Sequence, residues 1–207
     1  MTARLVVLIS GNGSNLQAVL DACKSGEPDA QVIAVISNKA DAHGLTRARN
    51  AGVEAIYFAK QENESRQNYD ARLAAYVSTC LPDYVILAGW MRLLSSFFLA
   101  SFPDRVINLH PALPGMFPGT HAIERAFEAY QHGEIEYTGV MVHLVPDEGV
   151  DNGPVLATEI VRIEKEDTLE SLEEKIHQTE HALLVKTVNA LLIKSVSPSM
   201  IHSDHPL

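Results

Sequence analysis

The sequence contains little cysteine and no long apolar run, and each shortage excludes a class of protein. Its 2 cysteines, Cys23 and Cys80, lie far apart in segments interpreted as helical, so neither a disulfide framework nor a metal site is predicted. The first ten residues, MTARLVVLIS, contain too short an apolar run for a signal peptide or a membrane span. We therefore expect a protein of the reducing cytoplasm with no membrane partner.

Positive charge is also scarce. The 16 Lys and Arg residues face 26 Asp and Glu residues, which gives a net charge of −10. Binding to a nucleic-acid backbone normally needs a basic face, so no nucleic-acid partner is predicted. A small anionic ligand remains compatible with this net charge. A local group of backbone amides and a few basic side chains can bind phosphate or carboxylate whatever the net charge of the protein. The candidate basic side chains are Lys39, Arg47, Arg49, Arg66 and Arg92.

The first half of the chain alternates apolar runs with helical patterns, which is typical of a parallel sheet. The expected strands cover 5–9, 32–36, 54–57, 84–87 and 106–108, and the expected helices 15–25, 42–51 and 65–80. We predict an α/β fold: a Rossmann-like, open, twisted, mostly parallel sheet with helices on both faces. The 207 residues suit a single domain over 1–207, without repeats or linkers.

The second half has a different pattern. A helix at about 121–132 precedes two β-rich runs, 137–145 and 155–163, and a long amphipathic helix at about 168–193. The last residues, SVSPSMIHSDHPL, contain proline and serine and are expected to form a short strand and then a loose tail, 196–207.

The turn Ser10-Gly11-Asn12-Gly13-Ser14-Asn15 follows the first strand and opens the first helix. Several backbone N–H groups and the helix dipole point to one place there, which predicts an anion site. A dinucleotide fold would need a third glycine where Leu16 stands, and an acidic residue where the second strand ends in Ser37-Asn38-Lys39. Both departures argue against a nicotinamide cofactor. A tight turn without a ligand is the alternative.

Chemistry is concentrated at the end of the fifth strand, in VINLHPALPGMFPG (106–119). Asn108 and His110 are two residues apart, so their side chains share one face and converge on one ligand atom. A second loop, VPDEGVDNGP (145–154), offers Asp147, Glu148 and Asp151, and a carboxylate near His110 would favour its imidazolium form. The alternative is a strand end with a solvated histidine and a capping asparagine.

Five spaced motifs, SGNGSN, LAGWMRLL, NLHP, DNGP and QTEH, occur in an order that resembles the folate-dependent formyltransferases. The resemblance covers nearly the whole chain. It implies direct formyl transfer from 10-formyltetrahydrofolate, as co-substrate, to the amine of glycinamide ribonucleotide in de novo purine biosynthesis. It implies no metal and no covalent enzyme intermediate, with two small-molecule substrates and a monomer or homodimer. The phosphate-binding half would span about 1–100, and the catalytic and folate half about 101–195.

The resemblance also assigns roles to residues. The catalytic residues are Asn108 and His110, which stabilise the oxyanion, and Asp151, which tunes His110. Alignment on Asp-x-Gly-Pro selects Asp151 over Asp147 and Glu148, in a loop one residue longer than the familiar form. The substrate-binding residues are Gly13, Ser14, Asn15 and Glu180, and the folate-binding residues are Arg66, Met91, Arg92, Leu93, Leu94 and Asn108. His121 and His143 lie near the motif and are expected to form structural hydrogen bonds, although His121 is also placed to line the site.

Three other functions remain open. A formyltetrahydrofolate hydrolase would share the Asn, His and Asp set, and a methionyl-tRNA formyltransferase would share much of the folate side. The length of 207 residues speaks against both, because the hydrolases usually carry an N-terminal regulatory domain and the tRNA enzymes a basic C-terminal domain. A non-catalytic nucleotide-binding module built around residues 10–15 is the third.

Overall fold

The structure is a computed structural model that describes residues 2–196. Its strands are β1 (Ala3–Ile9), β2 (Ala30–Ser37), β3 (Glu54–Tyr57), β4 (Tyr84–Leu87), β5 (Val106–His110), β6 (Tyr137–Leu144) and β7 (Val155–Arg162). Its helices are α1 (Ser14–Ser25), α2 (His43–Asn50), α3 (Arg66–Thr79), α4 (Ser96–Ser101), α5 (Ala122–Gln131) and α6 (Leu169–Val196).

The seven strands form one open sheet in the order β3-β2-β1-β4-β5-β6-β7. The first five are parallel, and β6 and β7 are antiparallel to their neighbours. This confirms the predicted open, mostly parallel sheet. The chain builds outward from β1 in one direction through β3 and then returns to start β4 on the other side of β1. In such a sheet, ligands bind at the carboxyl ends of the strands where the order reverses, here between β1 and β4.

Two apolar layers cover the sheet. The alternation of side chains along β1 sends Leu5, Val7 and Ile9 toward α1, α2, α5 and α6, and Val6 and Leu8 toward α3 and α4. All five are completely buried, and complete burial of such a side chain is worth roughly 1.5–3 kcal/mol. Helices therefore cover both faces, as predicted, and the sheet edge that carries the turn 10–15 is held by packing on both sides.

The structure adds one helix to the predicted elements and extends others, among them β5 and α6. The short helix α4 was not predicted, because six residues (SFFLAS) are too few to show helical periodicity. Strand β5 continues past 108 to His110, where it pairs with Met141 of β6. Helix α6 runs beyond 193 to Val196, so it takes in residues assigned to the short strand and the tail. The remainder of that tail lies outside the described residues.

Within residues 2–196, no helix combines the length and the apolar character needed to cross a membrane. Cys23 is half-buried and Cys80 is buried, and both are free thiols. Their pKa values are raised, chiefly because burial disfavours the thiolate. The fold is therefore held by its apolar layers without a disulfide.

Candidate active site

The ends of β1 and β4 meet through Ser10. The backbone N–H of Ser10 donates to the Gly89 carbonyl (3.0 Å), and its hydroxyl accepts from the Met91 N–H (2.8 Å). Immediately after Ser10, the chain turns through Gly13 with φ +76°. A Cβ on Gly13 would lie 2.7 Å from the Gly44 Cα, so both the backbone conformation and the close approach require glycine. The turn 10–15 and the segment 89–94 thus form one continuous edge.

At the start of α1, the capping position Gly13 supplies no side-chain acceptor. The first N–H groups of that helix are consequently available to an anion. The Asn15 Nδ2 donates to Glu180 Oε2 (3.2 Å) from α6, so two of the predicted substrate-binding residues lie together although they are 165 positions apart. Glu180 is 5% exposed, which differs from the solvated charge that an ordinary amphipathic helix would present.

His177 is a residue of this cluster that the sequence analysis did not identify. Its Nδ1 lies 2.8 Å from Glu180 Oε2, and the hydrogen bond to Glu180 raises the pKa of His177. A protonated His177 compensates the buried Glu180 carboxylate. The spacing of three residues along one helix was the available signal.

A cavity of about 580 Å³ opens beside this edge. It is lined by the segment Gly89–Leu94, the end of β5, the loop before α5 and the loop after β6. Gly89 has φ +79°, and a Cβ there would meet nothing within 4 Å, so the backbone faces open space that suits a flat ring. The lining includes these residues predicted for folate or for catalysis: Met91, Arg92, Leu93, Leu94, Asn108, His110 and Asp151. Gly13, Ser14, Asn15, Glu180 and Arg66 do not line it.

Arg66, at the start of α3, is bound to Glu148 from the loop after β6. The other oxygen of that carboxylate, Oε1, accepts from the Ser96 N–H (2.8 Å) at the start of α4. Glu148 itself lines the cavity, so this contact joins three segments at its rim. The arginine predicted to bind folate therefore already has a carboxylate partner.

Asp151 is the common partner of the two residues on β5. Asn108 Nδ2 donates to Asp151 Oδ1 (3.0 Å), and His110 Nδ1 lies 3.3 Å from Asp151 Oδ2. The Gly119 N–H also donates to Oδ2 (2.8 Å). The structure places Asp151 beside His110, whereas Asp147 accepts from the N–H of Gly149 in its own loop. Asp151 holds this position with φ +51°, an uncommon conformation that is frequent at functional sites.

His143 also belongs to this group and was missing from the predicted catalytic set. It pairs with Asn108 across β5 and β6, and its Nε2 lies 3.1 Å from Asn108 Nδ2. Its Nδ1 lies 2.8 Å from the Leu144 carbonyl, which fixes the proton on Nδ1 and leaves Nε2 to accept from Asn108. Only the register of the antiparallel pair identifies this contact.

Burial decides the resting charge of His110. The ring is 4% exposed, and desolvation lowers its pKa, opposed by the Asp151 carboxylate and the Phe117 carbonyl. As expected, the Asp151 carboxylate favours the imidazolium form of His110, but burial opposes it and lowers the pKa overall. Burial acts to raise the pKa of Asp151, but its hydrogen bonds and the nearby histidines lower it overall. Burial thus favours the neutral imidazole of His110, whereas the partners of Asp151 favour its carboxylate form.

Asp70 holds the cavity-lining segment onto α3. It is completely buried, its Oδ2 accepts from the Ser95 N–H (2.7 Å), and burial raises its pKa. Asp70→Ala should lower the free energy of unfolding by about 1–3 kcal/mol, because the Ser95 N–H loses its acceptor. Asp70→Asn keeps an acceptor and should cost less.

The pH dependence separates charge from hydrogen bonding at Asp70. A carboxyl whose pKa is higher in the folded state binds more protons when folded, so wild-type stability falls as pH rises from the unfolded pKa through the folded pKa. The Asn variant should lack this decline in urea unfolding measured at a series of pH values from about 4 upward. Equal losses of stability in the Ala and Asn variants would contradict the assigned hydrogen bond.

The fold and the site together define the class of protein. An open α/β sheet carries an amide, an imidazole and a carboxylate at its carboxyl edge, beside a cavity of about 580 Å³ and a glycine turn at a helix N-terminus without a side-chain cap. This arrangement suits a transferase of small molecules. A family model for formyl transferases matches residues 3–188, and the chain belongs to that family.

Individual relatives agree with this assignment. The chain is 45% identical over 201 residues to the phosphoribosylglycinamide formyltransferase of Dictyostelium discoideum, covering 91% of this chain and 97% of that protein. It is 42% identical over 179 residues to the Escherichia coli enzyme of the same name, with 86% and 82% covered. Among solved structures, glycinamide ribonucleotide transformylase 1 from Symbiobacterium toebii superposes with a TM-score of 0.87 at 40% identity, covering 93% of this chain and 89% of the other.

Proposed function

We propose that this chain transfers a formyl group from 10-formyltetrahydrofolate to the amine of glycinamide ribonucleotide, a step of de novo purine biosynthesis. The observation that carries the proposal is Asp151, held between Asn108 and His110 in the wall of the cavity. The relatives named for this activity cover most of the chain. They favour it over the hydrolase, the tRNA enzyme and the binding module.

Each substrate has a chemically suitable place. The ribose phosphate fits the uncapped N-terminus of α1 at Gly13, Ser14 and Asn15, and Glu180 reaches the same region from α6. The folate ring fits the cavity against the open backbone face of Gly89. Ser10 joins the two places, so the amine of one substrate and the formyl group of the other meet near β5.

The residues support direct transfer. The amine nitrogen attacks the formyl carbon, a C–N bond forms, and the carbonyl oxygen becomes an oxyanion. The Asn108 amide donates to that oxygen in exchange for one of its present partners, Asp151 or His143. Neutral His110 takes the proton of the amine on its unprotonated ring nitrogen, which gives up its present contact with Asp151 or with the Phe117 carbonyl. It then delivers that proton to the folate nitrogen as the original C–N bond breaks. Asp151 stabilises the imidazolium that exists between these two transfers. No step requires a metal or a covalent bond to the enzyme.

The test follows the absorbance of the deformylated folate with and without glycinamide ribonucleotide. We expect turnover only when the ribonucleotide is present, together with formylated ribonucleotide detected by mass spectrometry. Folate turnover that ignores the ribonucleotide would replace the proposal with a hydrolase. Binding of the ribonucleotide without any turnover would favour the binding module.

Glu148 should weaken folate binding, because it occupies Arg66. Any folate carboxylate that binds Arg66 must displace Glu148. The two side chains are 41% and 37% exposed, and exposed ion pairs are weak. Glu148→Gln should therefore lower the KM for 10-formyltetrahydrofolate by only about threefold, with kcat unchanged. Steady-state kinetics at low and high salt measure this, and the advantage of the variant should shrink at high salt. A higher KM in the variant would show instead that Glu148 supports the folate site.

A further inference from the structure

The loop from Met116 to His121, between β5 and α5, contacts both members of the proton-transfer pair. The Phe117 carbonyl lies 3.1 Å from His110 Nε2, and the Gly119 N–H donates to Asp151 Oδ2 (2.8 Å). Phe117 and His121 have φ values of +45° and +57°. Residues other than glycine rarely adopt such values unless the surrounding structure imposes them. This conformation of the loop therefore needs an interaction that stabilises it.

The Arg125 guanidinium lies inside the curve of the loop. Its Nη2 is 2.7 Å from the Phe117 carbonyl, 2.7 Å from the Pro118 carbonyl and 3.0 Å from the Thr120 carbonyl. Its Nε donates to the His121 carbonyl (3.3 Å). One charged planar group thus gathers four carbonyls, and such charge-assisted hydrogen bonds are stronger and more directional than neutral ones.

Helix α5 gives Arg125 a fixed base. Ala122, Ile123, Ala126 and Ala129 are buried, so the helix is anchored on the sheet and its arginine holds the loop from a rigid element. The Phe117 carbonyl, one of the two that lie 2.7 Å from Nη2, is also the carbonyl that contacts His110. The position of Arg125 is therefore transmitted to His110 through one backbone group, and to Asp151 through the peptide two residues later.

We propose that Arg125 is a positioning residue for formyl transfer: it holds the loop 116–121 so that the Phe117 carbonyl orients the His110 imidazole and the Gly119 N–H orients the Asp151 carboxylate. Arg125 does not touch the reacting atoms. The inference rests on the proposed function, because it concerns how His110 and Asp151 are aligned for that reaction. Without the clamp, His110 loses the acceptor on Nε2 and Asp151 loses a donor.

The test compares Arg125→Gln and Arg125→Lys with Glu128→Gln, an exposed position one turn later on α5. Misplacement of a catalytic group by about 1 Å costs up to about 10²-fold, so Arg125→Gln should lower kcat by about 30-fold. Both KM values should change less than kcat, because Arg125 itself does not line the cavity. Arg125→Lys retains the charge without the fork and should recover part of the loss. Glu128→Gln should match wild type.

Nuclear magnetic resonance of the His110 ring in the free protein supplies a readout that does not depend on turnover. The charged or titratable groups that act on His110 are Asp151, from the loop after β6, and His143, from β6 itself. Arg125, Glu124 and His121 lie on the neighbouring side, in α5 and at the residue that precedes it. In Arg125→Gln the His110 titration should move to lower pH, because the imidazolium loses the Phe117 carbonyl. Thermal unfolding shows whether each variant is folded under the conditions of the titration.

An unchanged kcat or an unchanged His110 titration in folded Arg125→Gln would overturn the proposal. If that variant does not fold, Arg125→Lys must show a lower kcat than wild type and a His110 titration at lower pH than in wild type. Wild-type protein that fails to formylate glycinamide ribonucleotide would refute the proposed function, while the His110 titration would still decide whether Arg125 orients the ring.

Discussion

Asp151→Asn should lower kcat by about 10³-fold with little change in either KM. The substitution keeps the size of the side chain but removes the negative charge that stabilises the His110 imidazolium, 3.3 Å away. The Asn108 amide and the Gly119 N–H each donate to one oxygen of Asp151. In Asp151→Asn, an NH2 group replaces one of these oxygens, so it would face another donor unless the side chain moves. Steady-state kinetics with both substrates measure the effect, and the split between kcat and KM separates chemistry from binding.

Matched variants in the same loop decide between the three acids that the sequence offered. Asp147→Asn changes a carboxylate that accepts from the N–H of Gly149 in its own loop, and it should cost less than about tenfold in kcat. Glu148→Gln should change only the KM for the folate. If Asp147→Asn were as damaging as Asp151→Asn, then the loop would rearrange on binding and the partner of His110 would be a different acid.

The fold was predictable because its signals are local. The apolar runs of β3 and β4 have the predicted limits, 54–57 and 84–87, since turn residues bound each run and the strands alternate with helices. The helix α4 escaped prediction because six residues show no period. The ends of β5 and α6 were missed for another reason. Pairing with β6 extends β5 to His110, and α6 continues to Val196, in both cases beyond the apolar pattern in the sequence.

Residue spacing alone predicted only the local parts of the candidate site, and Asp151 and Glu180 were named through the family resemblance. Asn108 and His110 lie two apart on one strand, and the turn 10–15 is contiguous. His143 is 35 positions from Asn108 and requires the register of β5 and β6, and the contact between Asn15 and Glu180 spans 165 positions. The sequence indicates the carboxylate that favours the imidazolium form of His110, but the burial that lowers the pKa of His110 is a property of the folded chain.

His110→Ala should lower kcat by about 10³-fold or more, since it removes the group that accepts the amine proton. The pH dependence supplies the sharper expectation. Burial lowers the pKa of His110 below its usual 6.5, and neutral imidazole is the active form. The kcat/KM of wild type should therefore be constant near neutral pH and should fall as the pH drops through that lowered pKa. The residual activity of His110→Ala should lack this acidic limb.

Two comparisons separate loss of the base from loss of the fold. His132→Ala removes an exposed imidazole just after α5 and should leave both kcat and the acidic limb unchanged. Added imidazole should restore part of the activity of His110→Ala, because the deleted ring leaves space beside Asp151 for a free base. If the acidic limb persisted in His110→Ala, another group would be titrating. The same profile should then be measured on His143→Ala, which removes the imidazole that contacts Asn108 and whose Nε2 lies 3.6 Å from Asp151 Oδ1.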